Sequence, residues 1–362
     1  MNVDVTTKAD RRNKISDRAG SPPAQEPPAA GSRPAAAGRA RTQWSLYLTG
    51  MALLVVLLFV VKADAYWLNI ITLAYLFGGL ASAWNVIGGL GGQLSLGHGV
   101  YFAIGAYTVA WLYTKHDVSP WIGLVIAVPV SMVVAALSSF PTFRLRGPFF
   151  AMATLALNQV CLVLAEYFHD FTGGTQGLSL PFNASAADLT FNDRWIYGLL
   201  MLVFLGITVA VVLGLSRARL GYALRAVRED PEAAAAAGID VFRTKLRGLL
   251  MSAPLTAIGG GLFAVFQGYI DPDSVLSLPD VSVRIALIAL LGGIGTVWGP
   301  VIGALVFLPA ITQLQGQLSS VRPGIDLAAV GLLLVVIPLV LRRGIVGTAA
   351  ELTRWARRRW AR

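Results

Sequence analysis

The sequence has little charge, one cysteine and three histidines. Charged residues make up 13% of its 362 positions, against roughly 25% in soluble domains, which argues for a membrane protein. The single Cys161 lies inside an apolar run, so neither a disulfide framework nor a Cys/His zinc site is expected. His98, His116 and His169 are too scattered to suggest a metal centre, and no cofactor is expected. No G-x-x-x-x-G-K-[ST] phosphate cradle is present, so the chain is not expected to hydrolyse ATP by itself. No Ser/His/Asp or H-E-x-x-H arrangement marks it as an enzyme. Inside the apolar runs, charge occurs only at or near the ends, at Lys62, Glu166, Arg194, Arg284 and Asp326. Ion-coupled carriers usually keep a carboxylate at depth. Its lack here counts against such a carrier and leaves a passive pathway driven from elsewhere, or a channel.

What is abundant is apolar: 56% of the residues are hydrophobic. About 20 apolar residues cross a bilayer as a helix. Runs of that kind occur at about 44–62, 67–87, 96–113, 119–141, 148–168, 194–215, 248–268, 281–296, 299–314 and 325–341. The fold class expected is an all-α polytopic membrane protein of about 8–10 transmembrane helices, with an internal repeat and broken Gly-rich segments. Residues 1–42, rich in Pro, Ala, Gly and charge, read as a disordered tail. No apolar stretch begins until Trp44, so they are not expected to be a signal peptide. Residues 43–342 read as the membrane domain, with 216–247 as a loop, and 343–362 as a basic tail.

Ten spans put both termini on one side. That side carries the first tail, Arg144, Arg146, the 216–247 loop and the tail from Arg342. Together these hold 24 of the 29 Lys and Arg but only 9 of the 19 Asp and Glu. The positive-inside rule makes that side cytoplasmic. It also accounts for the net charge of +10 without a nucleic-acid partner.

Between the second and third runs lies V-I-G-G-L-G-G-Q-L-S-L-G-H-G-V-Y-F-A-I-G-A-Y (86–107), with seven glycines. Each glycine weakens a helix interior by about 1 kcal/mol relative to alanine, so the cluster needs a reason. Gly88-Gly89-x-Gly91 recurs as Gly292-Gly293-x-Gly295, each followed by small residues. Paired interruptions in two halves of a transporter point to broken helices around a solute site; close packing of helices on small residues is the alternative. Gly91, Gln93, Ser95, His98, Gly292, Gly293 and Gly295 are thus pathway candidates. Ser95 could also cap the next helix, and His98 could cap or pack.

In the fifth run, Ala151, Thr154, Asn158, Cys161 and Ala165 recur every three or four residues, one helical face. That face either lines the pathway at Thr154 and Asn158 or packs on a neighbour. Thr172-Gly173-Gly174-Thr175-Gln176 follows at the outer surface, a candidate entrance gate or an ordinary turn.

The 216–247 loop is patterned for structure. Asp230 suits an N-cap, Pro231 the first helical position and Glu232 the first turn. A short helix 231–237 then stops at Gly238, and a second begins after Asp240. Glu232-Ala233-Ala234-x-x-x-Gly238 resembles the start of the E-A-A-x-x-x-G coupling loop of ABC importer permeases. The later I-x-L-P part is replaced by Gly248-Leu249-Leu250-Met251, where only Leu250 agrees.

G-G-Q-L-S-L-G-H-G-V-Y-F-A-I-G-A-Y-T (91–108), R-G-P-F-F-A-M-A-T-L-A (146–156), F-T-G-G-T-Q-G-L (171–178), R-L-G-Y-A-L-R-A-V-R-E-D (219–230) and L-G-G-I-G-T-V-W-G-P-V-I-G-A (291–304) occur in this order. Together they resemble the M-type subunit of Liv-type permeases, from branched-chain amino acid ABC importers, over about 80–342. The resemblance implies a heterodimer with a related second permease, two cytoplasmic ABC ATPase subunits and an extracytoplasmic solute-binding protein, in a bacterial inner membrane. It further implies that Glu232, Ala233, Ala234, Gly238 and Arg243 dock the ATPase. Related systems carry urea, amides or other small polar solutes, so the solute stays open. An ATP-independent channel for a small neutral solute is the competing reading; it would have no use for a docking helix.

Overall fold

The computed structural model describes residues 33–319, 331 and 344–348. The expected tenth span at 325–341 lies outside the described residues, apart from position 331. Residues up to Gly50 and residues from Met51 onward form two units; the packing below is that of the second.

Helix α1 (Arg33–Val61) starts inside the stretch expected to be a tail, where Pro34 stands at the first turn of an alanine-rich run. Helix α2 (Ala65–Asn85) is capped by Asp64, whose carboxylate accepts from the amides of Tyr66 and Trp67. It continues into a π-turn, Val86–Leu90. After an extended stretch come α3 (His98–His116), α4 (Pro120–Thr142) and α5 (Pro148–Tyr167). Helix α6 (Arg194–Arg217) leads to α7 (Arg219–Glu229) and the short α8 (Pro231–Ala236). Helix α9 (Val241–Gln267) runs 27 residues. The second loop helix and the seventh span are therefore one element, because nothing between Val241 and Pro254 forbids a continuous helix.

The expected eighth span is broken. It consists of α10 (Pro272–Leu276), a π-turn at Leu278–Val283 and α11 (Arg284–Gly292). The nine residues of α11 span only about 14 Å at 1.5 Å per residue. Helix α12 (Gly299–Ser319) returns. The only sheet among the described residues is a two-residue pairing of β1 (Leu178–Ser179) with β2 (Tyr269–Ile270), antiparallel with Leu178 opposite Ile270.

Among the described residues, 7 helices are long and apolar enough to cross a membrane. They are α1, α2 with its π-turn, α4, α5, α6, α9 and α12. Helix α3 matches them in length but is richer in glycine and polar groups, and most of it is buried inside the bundle. It packs against α4 and α9, while α2 packs against α6 and α12, and α9 touches both groups. Backbone meets backbone where α3 crosses α9: a Cβ at Gly105 would overlap the Ala257 carbonyl, and one at Gly260 would overlap that of Phe102. Large apolar side chains such as Val125, Val133, Leu137, Phe149, Met152 and Val163 remain exposed on α4 and α5. On a soluble protein such an area would aggregate; on this multi-pass membrane protein it faces lipid or another chain.

Contacts between loops define two ends. Arg146 pairs with Glu232 at 3.0 Å, which puts the α4–α5 turn and the α7–α8 region together at what we call the basic end. At the opposite end, Trp121 Nε1 donates to Ala186 O at 3.0 Å, Lys62 lies 4.2 Å from the Trp195 ring centroid, and β1 meets β2.

Candidate transport pathway and coupling site

The extended stretch before α3 is held at depth by side chains. Trp84 Nε1 donates to Ser95 O at 2.7 Å and Thr154 Oγ1 accepts from Leu96 N at 3.0 Å. Unwound backbone persists in a membrane only where partners or water satisfy it; here Trp84 and Thr154 do so. His98, fully buried at the start of α3, contacts Ser95 Oγ through Nδ1 at 3.1 Å and Ser252 Oγ through Nε2 at 2.9 Å. Ser252 spends its single proton on Ala83 O at 2.7 Å. It must therefore accept from Nε2–H, and Nδ1 accepts from Ser95. The network assigns the neutral Nε2–H tautomer and ties α2, α3 and α9 at one point.

One turn further along α5, Asn158 Nδ2 donates to Leu276 O at 2.7 Å, and Ser282 Oγ lies 3.4 Å from Asn158 Oδ1. Ser282 also accepts from Gly99 N at 3.0 Å. A Cβ at Gly99 would crowd both Asn158 and Ser282. Asn158 thus joins α5 to the broken span and to the start of α3.

From this tie towards the opposite end extends a cavity of about 800 Å³. It is lined by Val100, Tyr107, Cys161, Thr172 and Leu276, together with the exposed Tyr167 and Phe168 at the end of α5. It is predominantly apolar. The buried Tyr107 hydroxyl has no hydrogen-bond partner.

At the basic end the two glycine clusters meet. Asn85 Oδ1 accepts from Gly295 N, and Asn85 Nδ2 donates to Thr296 O, both at 2.8 Å. A Cβ at Gly89 would meet Asn85 Oδ1 and Gly295 N. Arg228, at the end of α7, donates from Nη1 to Gly89 O at 2.8 Å. Its stem lies where a Cβ at Gly92 would stand, and its guanidinium where one at Gly295 would.

Helix α8 begins at Pro231, just after Glu229 and Asp230. Asp230 caps it by accepting from Glu232 N at 2.8 Å and Ala233 N at 3.1 Å. Ala234 is buried, whereas Glu232, Ala233 and Gly238 are exposed, and Gly238 leaves the helix at φ 85°. Asp240 caps α9 through Arg243 N at 2.9 Å and pairs with the Arg243 side chain at 3.2 Å.

Residues 66–341 match the family model described as "Branched-chain amino acid transport system / permease component". The chain belongs to this permease family. It is 32% identical over 284 residues to the high-affinity branched-chain amino acid transport system permease protein LivM of Salmonella typhimurium (strain LT2), covering 71% of this chain and 66% of that one. Over 273 residues it is 31% identical to LivM of Escherichia coli (strain K12), covering 69% and 63%. It is 24% identical over 303 residues to LivH of the same Salmonella strain, covering 77% and 94%. The permease thus spans just under two thirds of the length of these LivM relatives. No solved structure matches it.

In this permease the pathway candidates fall into three places. Ser95, His98, Thr154 and Asn158 form the buried polar ties. Gly91, Gly292, Gly293 and Gly295 lie at the basic end with the half-buried Gln93, whose backbone N–H donates to Ile87 O at 3.0 Å. Thr172, Gly173, Gly174 and Gln176 lie at the opposite end. There the Thr172 hydroxyl is within hydrogen-bonding distance of the carbonyls of Ala165 and Phe168, and Tyr269 Oη donates to Gln176 O at 2.9 Å. Sequence reasoning missed Asn85, Arg228, Ser252 and Ser282. Arg228 stands within the 219–230 segment that carries the family resemblance, and Asn85 directly precedes the first glycine break; those positions were the available signal.

Proposed function

We propose that this chain is the membrane-spanning permease subunit of an ATP-driven ABC importer for branched-chain amino acids or related small polar solutes. In this reading it pairs with a related second permease and works with two cytoplasmic ATPases and an external solute-binding protein. The basic end then faces the cytoplasm of a bacterial inner membrane, following the positive-inside rule. The observation that carries the reading is α8. It is an exposed, capped knob with Glu232 and Ala233 turned outward, joined directly to a helix whose Arg228 reaches the glycine breaks. A channel has no use for such a knob. Glu232, Ala233, Ala234, Gly238 and Arg243 are the docking residues.

The solute enters the cavity from the opposite end, past Thr172 to Gln176, and stops above Asn158. The ties at Thr154, His98 and Ser95 and the glycine junction lie between it and the cytoplasm. An apolar wall suits an aliphatic side chain, and the Tyr107 hydroxyl offers a hydrogen bond to a polar group.

Reconstitution with the ATPases and binding protein tests this, with uptake of leucine compared against urea. ATP-dependent leucine uptake is expected; equal uptake without ATP would favour the channel. Alkylation of Cys161 in the intact complex is expected to slow at least fivefold with saturating leucine. Unchanged labelling would remove the cavity from the pathway.

A further inference from the structure

We propose that Arg228 and Asn85 form a latch that holds the two glycine breaks together at the basic end, and that α8 releases it. The inference rests on the importer reading for its trigger, but its geometry stands apart from it.

The π-turn Val86–Leu90 ends α2 with carbonyls that no further helical turn satisfies. Gly89 O is one of them, and Arg228 supplies its donor. A cation at a helix C-terminus is also favoured by the dipole. If capping were the whole role, any nearby cation would serve. Arg228 does more, because it bridges elements distant in sequence. Its stem fills the space above Gly92 and its guanidinium lies against Gly295 in the other break. Asn85 completes the junction, holding Gly295 N and Thr296 O with opposite ends of one amide. The glycines are required on steric grounds. Gly92 and Gly295 have φ of 66° and 77°, and a side chain at Gly89 would displace Asn85.

Helix α7, which carries Arg228, is connected to α8 by a single residue. Asp230 is extended, with φ −154° and ψ 108°, and serves as the C-cap of α7 and the N-cap of α8. Helix α7 seats Leu224 in a cluster with Val86, Leu90, Val212 and Leu215. A tilt of α7 driven from α8 therefore draws on the π-turn itself. The Arg228 side chain keeps 37% exposure, so water can replace its bond to Gly89 and the clamp can open without stranding a buried charge. Arg228 is a positioning residue here; it acts through the breaks and need not touch solute.

The test uses the complete complex in proteoliposomes, with Arg228→Ala, Arg228→Lys and Asn85→Ala. Passive leucine leak without ATP is expected to rise at least tenfold in Arg228→Ala and Asn85→Ala, with more ATP hydrolysed per leucine imported. Arg228→Lys keeps a donor for Gly89 but loses the guanidinium against Gly295, and is expected to recover only a minor part of the loss; full recovery would reduce Arg228 to a simple cap. Wild-type leak and coupling in both alanine variants would overturn the latch. Should the variants not assemble, amide exchange in the wild-type complex decides: residues 293–297 are expected to exchange faster when ATP is trapped, and unchanged exchange overturns the proposal. A wild-type complex that takes up leucine equally without ATP refutes the importer reading alone; the passive-leak comparison still judges the latch.

Discussion

His98 and Ser252 are 154 positions apart in the chain, yet their side chains meet at 2.9 Å in a buried contact. Ser252 directs its proton to Ala83, so the histidine is a donor on this side and an acceptor towards Ser95. One imidazole thereby fastens three helices.

Replacing His98 by Ala leaves two buried hydroxyls short of a partner and opens a hole. An unsatisfied buried group costs about 1–3 kcal/mol, so His98→Ala is expected to lower stability by at least about 2 kcal/mol. Thermal unfolding in detergent measures this. An unchanged midpoint would show the contact to be dispensable.

Asn158→Leu keeps the side chain's approximate size and removes its bonds to Leu276 and Ser282. Hydrogen bonds between membrane helices average about 0.6 kcal/mol and reach about 1.7 kcal/mol. A loss in that range is expected, smaller than for His98→Ala. The same unfolding series ranks the two, and a larger loss for Asn158→Leu would reverse the assignment.

Glu232 and Arg146 form an ion pair with side chains 79% and 77% exposed. Exposed pairs contribute about 0–1 kcal/mol, so Glu232→Arg should barely alter stability. If α8 docks an ATPase, the same change should uncouple ATP hydrolysis from uptake while membrane insertion stays normal. Coupling that remains intact counts against docking.

Gly105→Ala and Gly214→Ala should behave oppositely. At Gly105 the added carbon collides with the Ala257 backbone, and forcing the helices apart is expected to cost about 1–3 kcal/mol. At Gly214 it meets nothing within 4 Å, so the change should be neutral or stabilising by up to about 1 kcal/mol. Equal effects at the two sites would contradict the α3–α9 crossing.

Local chemistry was legible in the sequence wherever the cause lay within a few residues. Asp230, Pro231 and Gly238 announce a short helix, and α8 is there, capped by Asp230 and closed near Gly238. The apolar runs likewise announce the long helices. The sequence reading stopped the loop too late, because the helix that starts at Val241 meets no breaker before it enters the span. The broken eighth span was harder still: its kink comes from a π-turn at Leu278–Val283, where no glycine cluster marks it. Glycine content alone also left break and packing indistinguishable. Gly105 serves a helix crossing, whereas Gly89 sits at a junction, and only the identity of the neighbour separates them. Asn85 signalled only its place beside the first glycine break, not its partners, since both of them lie in the other half of the chain.

That separation governs how the molecule is made. Asn85 and its partner Gly295 are 210 residues apart, which at synthesis rates of roughly 5–20 residues per second means about 10–40 s between their appearances. During that interval the Asn85 side-chain amide lacks both of its partners, although Arg228 and Ser252 are made in time to serve Gly89 O and Ala83 O. The junction between the glycine breaks is therefore among the last contacts a newly made chain can complete. A chain that stops short of Gly295 leaves the Asn85 amide unpaired at the end of α2, the kind of defect by which membrane quality control can distinguish unfinished chains from finished ones.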